Sequence, residues 1–264
     1  MKKYLVIGNP IDHSLSPILH NYWIKKNKID AIYEKKKINN EDLEKLIFEI
    51  REKKIAGVNV TVPFKQQIIP FIDKLSNEAK ITNSVNTIYC KNNEIIGHNT
   101  DIDGFELGIK EAKYNVNNKN IFILGAGGVV SSIIYALEKM KVSKIIVSNR
   151  TKNKAENLKK LFKNIIIVDW GHIPNFDMII NATSVGLKDK DRIKLDFSET
   201  HRNKFFYDVI YNPKETNFLK IGHKLNCKTE NGKKMFVFQA FAAFKVWHDV
   251  EPEINEEIYK LLDQ

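Results

Sequence analysis

Cysteine is scarce in this chain. Cys90 and Cys227 are its only two, and they stand too far apart for metal-type spacing. They read as two buried thiols in a reducing compartment. The seven histidines form no His-x-His or His-Glu-x-x-His pattern, so no metal site is expected. No apolar run approaches the roughly 18 residues that a membrane helix requires, which excludes a membrane partner of that kind. The opening Met1–Gly8 has a basic start but too short an apolar stretch for a signal peptide, and it runs at once into Asn9-Pro10. It reads as a first strand of a cytoplasmic protein. The net charge is +10, yet the lysines are scattered and no basic, aromatic-studded stripe appears, so no nucleic-acid partner is expected. Abundant Lys, Asn and Ile point to biased coding as one source of that charge, and attraction of small anions is another.

What is present is a globular composition. Hydrophobic residues make up 43% and charged residues 28% of 264, enough for an ample core in one large or two modest domains. The first hundred residues alternate strand and helix: a strand at 3–8, and a helix from Ser16-Pro17 to about Asn27 with Ser16 as its cap. An extended stretch 31–38 follows, then a helix capped by Asn40 with Leu43, Leu46, Ile47 and Ile50 on one face. Strands are expected at 56–62 and 85–89, and Asn92-Asn93 predicts a hairpin turn into 94–97. From Asn120 onward, buried continuous strands at 121–124, 144–147, 165–168, 178–180 and 205–209 predict a parallel sheet covered on both faces. Two closing helices, about 235–250 and 254–262, can pack on either half.

The residues that carry chemistry begin with Ile121–Ser132, which reads as an apolar strand, a Gly125-Ala126-Gly127-Gly128 turn and a helix start. Such a turn cradles a pyrophosphate at a helix N-terminus. The third glycine of the usual fingerprint is replaced by Val130. After the second strand, an NAD site usually places a carboxylate for the ribose hydroxyl. Here Ser148-Asn149-Arg150-Thr151 stands instead, with Lys154 just beyond. Arg150 can grip a 2′-phosphate, with Thr151 and Lys154 adding a hydroxyl and a charge. The plainer alternative is a solvated basic helix start. One or two charge-assisted bonds would favour NADP over NAD by about 10- to 1000-fold.

Further motifs, in order and spacing, run along nearly the whole chain: Gly8-Asn9-Pro10-Ile11-Asp12-His13-Ser14-Leu15-Ser16-Pro17, Asn59-Val60-Thr61-Val62-Pro63-Phe64-Lys65, Val85-Asn86-Thr87, Gly97-His98-Asn99-Thr100-Asp101, Asn181-Ala182-Thr183-Ser184, Tyr211-Asn212-Pro213 and Gln239. Together with the glycine turn they resemble the shikimate dehydrogenase family. The resemblance implies an α/β fold of two domains with a cleft between them. Residues 1–101, completed by the C-terminal helices 236–264, would form the α/β substrate domain. Residues 102–235 would form a Rossmann-like, doubly wound NADP domain. It implies reversible reduction of 3-dehydroshikimate to shikimate by NADPH, in the route to chorismate and the aromatic amino acids, by a monomer or homodimer.

The same resemblance implies the site. Lys65 and Asp101 match the catalytic pair. Ser14 and Ser16 would hold the substrate carboxylate, and Asn59, Thr61, Asn86, Tyr211 and Gln239 would contact or line the ring pocket. Gly125, Ala126, Gly127, Gly128, Asn149, Arg150, Thr151, Lys154, Val209 and Gly232 would hold NADP(H). Read without these motifs, Lys65 is a surface lysine after a Pro-Phe turn and Asp101 a helix N-cap. The chemistry agrees with the richer assignment. Hydride addition to a ketone leaves charge on oxygen, and a lysine, with a reference pKa of about 10.4, carries the proton to supply. Lys234 and Asn77 depart from the family pattern at positions near the cofactor. Two alternatives stay open: an enzyme that also takes quinate, and a homologue that binds shikimate without turning it over.

Overall fold

The computed structural model describes residues 1–188 and 190–263, and the chain divides into two compact units, Met1–Gly104 with Val237–Gln264 and Phe105–Phe236. In the first unit, strands β1 (Lys2–Gly8), β2 (Ala31–Lys37), β3 (Gly57–Val60), β4 (Lys74–Leu75), β5 (Thr87–Lys91) and β6 (Glu94–His98) form one sheet in the order β2-β1-β3-β5-β6-β4. β1 lies parallel to β2 and β3, while β5 runs antiparallel to β3 and pairs with β6 through a two-residue turn. Asn92 and Asn93 both have positive φ, 52° and 62°, the backbone that a tight hairpin matched to strand twist demands.

The helices of this unit are α1 (Ser16–Lys26), α2 (Leu43–Arg51), α3 (Phe64–Gln67), α4 (Asn77–Thr82), the start of α5 (Asp101–Glu111), most of α9 (Lys233–His248) and α10 (Glu256–Leu261). The expected apolar stripe of α2, Leu43, Leu46, Ile47 and Ile50, is buried with Leu5, Ile7, Val58 and Val60 from the sheet. Elsewhere in the unit Tyr4 packs on Trp247 at 5.0 Å and Trp23 on Phe244 at 5.6 Å between ring centroids. His20 is stacked on Tyr33 at 4.2 Å, and burial pushes its pKa down to about 3, so it is a neutral core residue.

Two capping expectations are corrected here. Asn40 is not a cap: Asn40–Asp42 form a 3₁₀ turn ahead of α2, with the Asp42 carboxylate accepting the Asn39 N–H at 2.8 Å. Ser16 does not cap α1 with its side chain either, because it already lies within the first turn. The hydroxyl that reaches the backbone is that of Ser14, which accepts the Ser16 N–H at 3.3 Å.

The second unit contains β7 (Asn120–Leu124), β8 (Lys144–Ser148), β9 (Ile166–Val168), β10 (Met178–Asn181), β11 (Phe205–Asp208) and β12 (Lys228–Glu230) in one sheet, order β12-β11-β10-β7-β8-β9. Every pairing is parallel. Helices α6 (Val130–Lys139), α7 (Lys152–Leu161) and α8 (Asn217–Lys224) lie in the connections. The order reverses at β7, flanked by β8 and β10, which is the switch point where doubly wound sheets open a crevice at their carboxyl edge. The glycine turn sits at the end of that strand. Continuous burial of β7, β10 and β11 explains why their apolar runs do not alternate. β12 lies outside the expected strands, since Lys-Thr-Glu carries no apolar signal.

Candidate active site

In the first unit the structure brings Lys65, Asp101, Asn86 and Asn59 into one hydrogen-bonded group. Lys65 lies in the short helix α3, and its carbonyl accepts the Val85 N–H at 2.9 Å, which fixes the turn beside the 85–87 segment. Its ammonium donates to Asp101 Oδ2 at 2.5 Å, with only 11% and 7% of the two side chains exposed. Asp101 opens α5, and its own N–H is received by Asn99 Oδ1 at 3.1 Å. Its second oxygen, Oδ1, accepts Asn86 Nδ2 at 2.9 Å. The carboxylate is thus held at both oxygens, and its alternative role as a bare helix cap does not describe it.

Asn86 is oriented in turn by threonines that motif reading leaves unassigned. Its Oδ1 accepts the Thr100 N–H at 2.8 Å and the Thr87 hydroxyl at 2.9 Å, and its amide also donates to Thr100 Oγ1 at 3.0 Å. Asn59 donates to the Asn86 carbonyl and to Thr87 Oγ1, both at 3.1 Å, and accepts the Tyr33 hydroxyl at 2.7 Å. Asn59, Asn86, Thr87, Thr100 and Asp101 are all buried. A buried polar group left unpaired is costly, and here each is matched, so the group is rigid rather than merely close. Tyr33, Thr87 and Thr100 are its missed members. Apart from the Thr87 bond to its neighbour Asn86, these bonds reach residues 13 to 28 positions away, a distance that no periodicity reports.

Ser14 and Ser16 stand elsewhere in the same unit, on the loop after β1 and the first turn of α1, half-buried and buried. Thr61 follows β3, with its N–H on the Ile7 carbonyl at 2.9 Å. Gln239 lies on the part of α9 that belongs to this unit.

In the second unit, Gly125 has φ +116°, donates its N–H to Ser148 O at 2.8 Å, and leaves no room for a side chain: a Cβ there would stand 2.8 Å from Ala182 O. A Cβ on Gly127 would meet only one atom, at 4.0 Å, so that bare backbone faces open space. This cradle, followed by the N-terminus of α6, where a helix directs its first N–H groups and its positive dipole end outward, fits a dinucleotide pyrophosphate. Ala126 and Gly128 are half-buried beside it, and Val130 is fully buried in place of the third glycine. Asn149 Nδ2 donates to Thr151 O at 2.7 Å and shapes the turn after β8. Arg150, Thr151 and Lys154 are exposed, whereas Lys152 is paired with Asp169 at 2.8 Å. These residues fit the 2′-phosphate of NADP(H).

Val209 and Gly232 are in contact: a Cβ on Gly232 would fall 2.0 Å from Val209 O, so the close approach requires glycine. Tyr211 stacks on Phe236 at 4.4 Å. Lys234 is tied to Glu230 at 2.8 Å, which neutralises the unexpected charge beside Gly232. Among the described residues there is no group of three or more His, Cys, Asp or Glu placed to hold a metal, and no helix is long and apolar enough to cross a membrane.

Comparison with known proteins bears on the family and the fold. The family model for the shikimate dehydrogenase substrate binding domain matches residues 6–88, and that for shikimate / quinate 5-dehydrogenase matches 106–215. A protein of Pelagibacter ubique (strain HTCC1062) named shikimate dehydrogenase (NADP(+)) is 58% identical over 262 residues, 99% of either chain. The crystal structure of shikimate dehydrogenase from Aquifex aeolicus is 36% identical with a TM-score of 0.92, covering 100% of this chain and 98% of its own. A Thermus thermophilus shikimate 5-dehydrogenase solved with NADP(H) and shikimate is 27% identical with a TM-score of 0.90, covering 99% and 98%. With a match in each unit and a relative of this identity along the full length, the chain belongs to the shikimate dehydrogenase family.

Proposed function

We propose that this protein reduces 3-dehydroshikimate to shikimate, reversibly, with NADPH, as a step towards chorismate and the aromatic amino acids. The observation that carries the proposal is the buried Lys65–Asp101 pair at 2.5 Å in a chain of this family. NADPH, when bound, supplies the hydride to the carbonyl carbon. The carbonyl double bond becomes a single bond, and the electron pair gathers on oxygen, where a proton must arrive. Lys65 donates that proton from its ammonium group, and Asp101 keeps the ammonium aimed and its charge compensated. Asn86 fixes the carboxylate that does so. Solvent then restores the lysine proton, and the reverse reaction uses the same groups in the opposite order.

Ser14 and Ser16 bind the substrate carboxylate through their hydroxyls, and Asn59, Thr61, Tyr211 and Gln239 line the ring. The Gly125–Gly128 cradle holds the pyrophosphate, Asn149, Arg150, Thr151 and Lys154 hold the adenosine end, and Val209 and Gly232 hold the nicotinamide end. The substrate domain is residues 1–101 with 236–264, and the NADP domain is 102–235. A cytoplasmic location fits two cysteines that remain thiols, and a monomer or homodimer is proposed with it.

The test is a steady-state assay of the purified protein, following NADPH absorbance with 3-dehydroshikimate and, in parallel, NADP+ or NAD+ with shikimate and with quinate. Rapid NADPH oxidation and a strong preference for shikimate with NADP+ are expected. Equal use of quinate would make it a dual-substrate enzyme. Binding of shikimate with no turnover would make it a non-catalytic homologue.

A further inference from the structure

The last residue of β11 is a carboxylate with no exposed surface, Asp208. Its Oδ1 accepts Asn181 Nδ2 and the Ile210 N–H, both at 3.0 Å, and its Oδ2 accepts the Thr216 hydroxyl at 2.5 Å. All three donors are neutral. Burial outweighs their help, and the carboxyl is pushed up to about 6. Burying an ionised carboxylate among neutral groups is expensive, so its presence calls for a return other than stability.

That return is visible in what the carboxylate joins. Ile210 and Thr216 lie near the two ends of the segment 209–216. Thr216 is also the N-cap of α8, its hydroxyl accepting the Leu219 N–H at 3.3 Å. Asn181, the third partner, orders the neighbouring segment: its Oδ1 accepts the Thr183 N–H and hydroxyl, and its Nδ2 also donates to Val185 O at 3.1 Å. One carboxylate therefore closes the 209–216 loop on itself and ties it to 181–185. The loop carries Val209, pressed against Gly232, and Tyr211, stacked on Phe236.

We infer that Asp208 is a positioning residue for the reaction: through the Thr216 hydroxyl and the Ile210 N–H it holds the 209–216 loop so that Val209 meets the cofactor and Tyr211 the substrate. This rests on the function proposed above. Two variants test it, Asp208→Asn, which keeps the shape and removes the charge, and Thr216→Val, which removes one hydroxyl in case the first fails to fold. Thr216→Ser is the conservative rescue. Hydrogen exchange of the 209–216 amides is expected to quicken about tenfold in the first two. NADPH binding followed by its fluorescence should weaken, and kcat should fall about tenfold, because small misplacements of reacting groups are costly in rate. Thr216→Ser should restore all three to within about twofold of the parent. Unchanged exchange in the loop overturns the inference. Faster exchange with NADPH binding, kcat and KM unchanged overturns it as well, since Asp208 would then be structural only. Should the parent protein leave 3-dehydroshikimate unreduced, the proposed reaction fails by itself, and exchange with NADPH binding still decides whether Asp208 positions the loop.

Discussion

Asp101 in the first unit and Asp208 in the second are both buried carboxylates with three or fewer partners, yet they are compensated in opposite ways. Asp101 faces an ammonium at 2.5 Å and one amide. Asp208 faces only neutral dipoles and lies at about 6. The difference separates two uses of a buried acid. In the proposed reaction, a carboxylate beside a cation keeps a proton donor in place. A carboxylate surrounded by fixed dipoles has no cation to hold, and its three bonds suit the fastening role inferred for it. Burial alone therefore does not tell the two acids apart; the identity of their partners does.

The comparison can be broken most forcefully at the cation. Lys65→Ala should lower kcat by about 10²-fold or more with a smaller change in KM, as expected of a group acting in the transition state. NADPH oxidation at saturating 3-dehydroshikimate measures it, and normal turnover would remove Lys65 from the chemistry. Next, Asp101→Asn leaves a largely buried ammonium uncompensated. Unfolding by urea at pH 7 should show a loss of about 2 kcal/mol, below the range for fully buried pairs because part of the lysine still meets solvent. A smaller loss would mean that Lys65 swings out to water once released.

A third measurement sharpens the contrast through pH. The folded pKa of Asp208, about 6, lies above the model-compound value of 3.8. The folded state therefore binds this proton more tightly than the unfolded state does. Its contribution to stability is full below the unfolded pKa and is lost as pH rises through about 6. Between pH 5 and 8 the parent should lose about 1.4 kcal/mol relative to Asp208→Asn, which cannot titrate there. Parallel unfolding curves across that range would contradict the burial argument. The smallest effect is expected at an ordinary pair: Lys234→Ala should cost only about 0.5 kcal/mol, because Lys234 and Glu230 form a single ion pair that remains partly exposed to solvent. A large loss of cofactor affinity in that variant would show that Lys234 touches NADP(H) after all.

Much of this was legible in the sequence, for identifiable reasons. The parallel sheet announced itself because strands buried on both faces have no polar alternation to confuse them, and the Asn92-Asn93 turn because positive φ at two adjacent residues favours asparagine. Strand β12 was hidden, since an edge strand reading Lys-Thr-Glu needs no apolar face. Caps slipped at Asn40 and Ser16, where the hydroxyl or amide that reaches the backbone is chosen by local geometry. The order and spacing of motifs pointed to Lys65 and Asp101, but Thr100, which orients Asn86 from 14 residues away, was silent, because a hydrogen-bond partner far along the chain leaves no local trace. Asp208 offered one faint signal: an acid closing the apolar run Phe205-Phe206-Tyr207.

The first unit is built from the beginning and the end of the chain. Trp247 donates its indole N–H to Ile88 O at 3.1 Å, and Trp23 donates to Glu253 O at 3.1 Å, so residues near the start are sealed by residues near the finish. The second unit is one uninterrupted stretch, Phe105–Phe236. On a ribosome the two have different histories. The intervening stretch can reach its native arrangement as soon as it emerges, whereas the opening hundred residues must wait while it is made, on the order of ten to thirty seconds at ordinary elongation rates. During that interval Tyr4 and Trp23 lack their aromatic covers, and newborn chains at that stage are the ones with most need of a chaperone.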